Sequence, residues 1–181
     1  MKKISFFIAA FALCAFISCS EKKEAGVSDA TKKNLEANDA IMKMFETGDW
    51  SKVGDYIATD AVDHAGPNGD AVGLDSIKAN FNQMSAMMTN MKNEVRKTLA
   101  DDEYVMSWVK GGGTAKVDLP AWGMKAGQSH SSNSVEVSRF KDGKVVEHWS
   151  FVDAVEMMQM MSGAQQPAPA ASGPVKDSIS K

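Results

Sequence analysis

Hydrophobic positions repeat at helical spacing over residues 29–45, where Leu35, Ile41, Met42 and Phe45 fall near one face and Ser28 or Asp29 stands ready as the cap. Gly48 ends that helix, and Asp49 caps a short second one over Trp50 to Ile57. Ala61 to His64 reads as a short strand, halted by Gly66-Pro67-Asn68-Gly69. A third helix opens at Asp75 and runs to about Met88, with Ile77, Phe81, Met84 and Met88 on one stripe. The period then shortens. Met91 to Leu99 alternates loosely, Asp101-Asp102-Glu103 makes a turn, and Tyr104 to Val109 is a strand. Gly111-Gly112-Gly113 marks a bulge or bend, since the Lys-Ser/Thr and following helix of a phosphate loop are missing. Ser129 to Phe140 and Lys144 to Val152 are strands joined by Lys141-Asp142-Gly143, and Asp-Gly between apolar runs is a strong hairpin signal. A short helix, Ala154 to Met161, closes the pattern. The order is α+β: three helices, then a meander of antiparallel strands with the helices on one face of a curved sheet.

The ends follow other rules. Lys2 and Lys3 precede an apolar run, Ile4 to Ile17, shorter than the roughly 20 residues a spanning helix needs and suited to a secretory leader. Phe16-Ile17-Ser18-Cys19 resembles a bacterial lipobox, with Phe16 where leucine is usual. Residues 1–18 are thus expected to be a lipoprotein signal peptide, with Cys19 acylated. Residues 19–27 would be a polar tether that holds the protein at the cell envelope; several acyl chains give stable membrane attachment where one does not. Residues 163–181 are rich in Pro and Ala and lack aromatics, so they cannot bury enough apolar surface to offset their ordering entropy. The folded domain is expected over 28–162.

Composition narrows the chemistry. The 181-residue chain is 44% hydrophobic, with 20 basic and 23 acidic side chains and a net charge of -3, enough for one core and no basic excess for a nucleic-acid partner. Both cysteines, Cys14 and Cys19, precede the domain, which removes disulfides, thiol nucleophiles and Cys-based zinc sites from it. The three histidines are His64, His130 and His148, and no metal site or cofactor motif is expected. Of thirteen methionines, Met84, Met87, Met88 and Met91 follow the spacing of the third helix, and Met157, Met158, Met160 and Met161 crowd the last. Thioethers are soft-metal ligands, but stripes where helices pack read first as adaptable core and pocket wall.

The sequence Thr47-Gly48-Asp49-Trp50, the pair Asp63-His64, the glycine turn, and Lys141 to Asp153 with its Glu147-His148-Trp149 strand together resemble the SnoaL-like branch of the nuclear transport factor 2-like superfamily. The resemblance covers about residues 30–161. It implies a cone-shaped fold in which a bent sheet and helices enclose one deep pocket, often in a homodimer packed through the sheet. It also implies that the His148 side of the last strand faces the cavity. In the catalytic cyclases of that branch the residue after the tryptophan is an aspartate serving as general acid/base; here it is Ser150, which cannot replace a carboxylate in proton transfer.

His148 is the best titratable candidate, because imidazole exchanges protons near neutral pH; the alternative is a hydrogen-bonded residue of a partly polar cavity. Only one of the neighbours Asp63 and His64 can look inward from a strand. His130, if inward, carries Ser132 and Ser134 with it as a polar wall, and Glu136 shares their phase as a reserve base. Tyr56 and Trp108 could line the pocket or pack in the core. The expected ligand-binding set is therefore Tyr56, His64, Trp108, His130, Ser132, His148 and Ser150, and the expected acid–base set is His148 with Asp63 or Glu136. Three readings follow: a lipid-anchored binder of a small, largely apolar molecule; a cofactor-free cyclase, isomerase or hydrolase; and a dimerising interaction module.

Overall fold

A computed structural model describes residues 26–66 and 69–162. The leader, Cys19, all but the end of the tether, and the 163–181 tail lie outside the described residues.

The chain begins with α1 (Asp29–Thr47), capped by the Ser28 hydroxyl, which accepts from the Thr31 N–H at 3.0 Å, and closed by Gly48 at φ 69°. Its inward stripe is partly polar. Thr31, Asn34 and Asn38 are buried beside Ala37 and Met44, while Leu35, Ile41 and Phe45 pack on the core from the stripe's edges. Asn34 has a reason to be there: its side-chain amide donates to the Asp102 carbonyl at 3.1 Å and so ties α1 to a turn in the sheet.

The second helix, α2 (Val53–Tyr56), is shorter than its pattern predicts, and β1 (Ile57–Asp63) starts directly from it rather than at Ala61. His64 falls just past the strand, in a turn. A two-residue strand, β2 (Ala71–Val72), pairs back on β1 and leads into α3 (Leu74–Met87), which faces the core through Ile77, with Phe81 packed against the same cluster.

Four long elements follow: β3 (Met88–Ala100), β4 (Tyr104–Ala115), β5 (Ser129–Lys141) and β6 (Lys144–Val152); then comes α4 (Ala154–Met161). The sheet order is β2-β1-β6-β5-β4-β3, antiparallel throughout except that β1 runs parallel to β6. Asp142 at φ 55° and Gly143 at φ 77° turn β5 into β6, the backbone that an Asp-Gly hairpin demands.

The glycine triplet corrects the sequence pattern. β4 runs unbroken through Gly111, Gly112 and Gly113, paired in register with Ser132, Ser131 and His130. A Cβ on Gly112 would lie 2.3 Å from the His130 carbonyl oxygen, so the glycine serves close strand approach, not a loop. In the β3–β4 pair the irregularities lie on β3 instead, between Thr89 and Lys92 and between Val95 and Lys97.

Candidate functional site

Five strands and three helices surround a cavity of about 510 Å³. Its wall is mostly apolar: Phe45 from α1, Ile57 and Ala61 from β1, Phe81 and Met84 from α3, Met88 and Met91 from β3. One polar stripe crosses it. Side chains alternate along a strand, and every even-numbered residue of β5 from His130 to Ser138 faces the cavity: His130, Ser132, Ser134, Glu136 and Ser138. From β6 the matching face brings His148, Ser150 and Val152. Val146 is expected in that phase, but the register slips between Arg139 and Phe140, so Val145 takes the inward place.

The register of two strand pairs assembles a charged line. Parallel pairing sets Asp63 of β1 beside His148 of β6, and antiparallel pairing sets Glu136 of β5 opposite Ser150, diagonal to His148. The His148 ring then reaches both carboxylates, with Nδ1 2.9 Å from Asp63 Oδ1 and Nε2 3.2 Å from Glu136 Oε2. The other Glu136 oxygen accepts from the Ser134 hydroxyl at 2.5 Å and the Ser150 hydroxyl at 3.0 Å. Asp63 also accepts from the Ala65 N–H at 3.0 Å.

Burial disfavours the imidazolium, but the hydrogen bonds and negative charges of Asp63 and Glu136 outweigh it and push His148 up to about 9. At neutral pH the ring is a cation and both its N–H groups donate. Burial likewise works against both carboxylates, yet the bond from His148 helps hold Asp63 and Glu136 below their ordinary range. The line therefore carries two negative charges and one positive.

His130 differs. Burial depresses its pKa against the opposing charge of Glu156, which leaves a neutral imidazole. Its Nε2 is sealed from solvent with no hydrogen-bond partner among the described residues. Met157 of α4 also reaches the cavity, and Glu156 of the same helix accepts from the Asn133 side-chain amide at 2.8 Å.

The other expected wall residues stand elsewhere. Trp108 is on the opposite face of the sheet, 50% exposed, with the Arg96 guanidinium 5.8 Å from its ring. The inward phase of β4 belongs to Val105, Ser107 and Val109. His64 turns away from the cavity, stacked on Trp149 at 5.0 Å with its Nδ1 3.2 Å from Asp70; of the Asp63-His64 pair it is Asp63 that looks in. Tyr56, the last residue of α2, packs on the core. The pattern did not single out Ser138, although its parity on β5 marks it, nor Asn38, which interrupts an apolar stripe on α1 and lines the cavity.

The fold recurs in solved structures. IdmH of Streptomyces antibioticus superposes with a TM-score of 0.59 at 24% identity, over 71% of this chain and 98% of that one. TsrD of Streptomyces laurentii gives 0.62 at 12% identity, over 73% and 96%. An NTF2-like protein of unknown function from Burkholderia pseudomallei gives 0.58 at 18%, over 72% and 98%. At these identities the likeness speaks for the fold. No curated protein matches the sequence. A family model, that of the SnoaL-like polyketide cyclases, matches residues 35–161, the span that carries the cavity, its polar stripe and the Asp63–His148–Glu136 line. The chain belongs to the SnoaL-like polyketide cyclase family, on an NTF2-like fold.

Proposed function

We propose that the chain is an envelope lipoprotein whose cavity takes a small, largely apolar molecule and moves a proton on it without a cofactor. The observation that carries this reading is the hydrogen-bonded line of Asp63, His148 and Glu136 in the wall of a mostly apolar cavity. Charges withdrawn from water are costly unless paired, and strongly perturbed titratable groups gather where protons are transferred.

Glu136 is the proton acceptor. Its carboxylate takes the proton of a carbon next to a carbonyl; the C–H bond breaks and its electron pair passes to the carbonyl oxygen, giving an enolate. Protonated Glu136 then returns the proton to another carbon or oxygen of the same molecule. His148 keeps its own proton and supplies positive charge beside the enolate, while Asp63 holds the ring. The bonds that keep Glu136 ionised also weaken it as a base, so the C–H it attacks must be acidified by neighbouring carbonyl groups.

The test is deuterium exchange into 2-tetralone, a bicyclic apolar ketone with acidic C–H bonds, followed by mass spectrometry. Exchange above the uncatalysed rate is expected; its absence across a panel of such ketones ends the catalytic reading. Both His148 nitrogens and both Glu136 oxygens already hold partners. That favours a second reading, in which the cavity stores its ligand unchanged; native mass spectrometry with a retained small molecule and no exchange supports this one.

The leader pattern supports the envelope placement. Labelled palmitate fed to growing cells is expected in the chain and lost from Cys19→Ala; an unlabelled wild type ends the anchor. The outer sheet face supports a homodimer. Lys97, Trp108, Val135 and Phe151 form one cross-strand row and Leu99, Met106, Val137 and Trp149 the next, with Leu99, Trp108 and Phe151 all at least half exposed. A dimer in sedimentation that Trp108→Glu converts to monomer is expected, and a monomeric wild type at about 100 μM would remove the homodimer.

A further inference from the structure

His130 opens the inward stripe of β5 at its far end. Six residues of extended strand, about 20 Å, separate it from Glu136. Methionine and tryptophan side chains line the cavity around it, and the Glu156 charge acts on it from α4. Gly113 is its cross-strand partner, and a Cβ there would meet the Met88 and Met91 side chains at 3.2 Å. Met124, Trp122 and Met157 line the same cavity. Within this chamber the His130 Nε2 is buried and unpartnered among the described residues. A buried polar atom left without a partner costs far more than a net hydrogen bond returns. The strands approach closely here, for the Gly112 position has no room for a Cβ against the His130 carbonyl.

We propose that His130 anchors an oxygen function of the ligand, and that the ligand is an elongated apolar molecule carrying a hydroxyl or carbonyl oxygen at the end remote from Glu136. This rests on the reading of the cavity as a ligand site and adds its specificity. A neutral imidazole nitrogen either donates to such an oxygen or accepts from a hydroxyl, according to tautomer. The Glu156 carboxylate, whose charge acts on His130 and which is held by Asn133, would repel a second carboxylate, and a cation would still lose its hydration among thioethers. The thioether wall adapts to the apolar body, so the single polar atom sets the orientation.

The test uses the purified chain labelled with ¹⁵N-histidine, whose three histidines report separately, and two probes of one shape, naphthalene and 2-naphthol. 2-Naphthol is expected to move the His130 ring-nitrogen resonances while naphthalene binds without moving them. In His130→Phe the affinity for 2-naphthol is expected to fall about tenfold, to that of naphthalene. His130→Asn, which keeps a hydrogen-bonding amide, recovers part of the difference. If 2-naphthol moves the His148 resonances and leaves those of His130 alone, the anchor is overturned while the cavity stays a ligand site. If neither probe perturbs the protein, the cavity reading falls and the anchor with it. Should the Phe variant fail to fold, the wild-type resonances alone decide.

Discussion

Glu136→Gln is expected to slow deuterium exchange into 2-tetralone by about 10² to 10⁴-fold, the range a positioned general base contributes. The loss should fall on kcat with KM nearly unchanged, because Gln fills the same volume and still accepts from the Ser134 and Ser150 hydroxyls. The substitution also takes one of two negative charges from His148, so the His148 titration moves down from about 9. Both readouts are needed. A rate within threefold of wild type, with the His148 titration shifted as described, means that the carboxylate tunes the histidine and is not the base.

Urea unfolding should reveal the same line of charges through pH. His148 titrates at about 9 in the folded chain against an ordinary value of 6.5. A raised folded value means that the imidazolium stabilises the fold fully below the ordinary value, and that the contribution fades as pH climbs through the folded one. The loss between pH 6.5 and 9 is expected to be about 3 kcal/mol, from the size of the shift. Asp63 and Glu136 act in the opposite sense: both are held low, so their contribution is present above the ordinary carboxylate range and lost as acid protonates them. Stability is therefore greatest at mildly acidic pH. His148→Gln should flatten the alkaline limb, and a wild-type stability unchanged from pH 6.5 to 9.5 would contradict the paired imidazolium.

Local pattern carried much of the architecture. The span of α1, the Asp142-Gly143 turn and the parity of β5, and of β6 from His148 onward, are written in nearest neighbours, and the structure has them. The buried stripe of α1, however, is centred on Asn34 and Asn38 and not on the predicted apolar positions. Where reading failed, tertiary context decided. Gly111 to Gly113 look like an interruption by propensity, yet strand crowding at Gly112 keeps them inside β4. Trp108 illustrates another limit. Alternation tells which residues share a face, but both faces of β4 carry apolar side chains, so the pattern cannot say which face is inside. Within the charged line, Glu136 and His148 were legible from parity. Asp63 stood only as an alternative to Glu136. That His148 meets both at once was not legible, because it depends on parallel pairing between residues 85 positions apart in the chain.

The pairing of Glu136 with Ser150 has a consequence for how such proteins are sorted. The position after Trp149 is a serine, yet its rung still carries a carboxylate, because the neighbouring strand supplies Glu136 and the Ser150 hydroxyl grips it at 3.0 Å. Sorting by that single position would describe this chain as lacking an acid there; sorting by rung, with both strands read as one three-dimensional slot, would not.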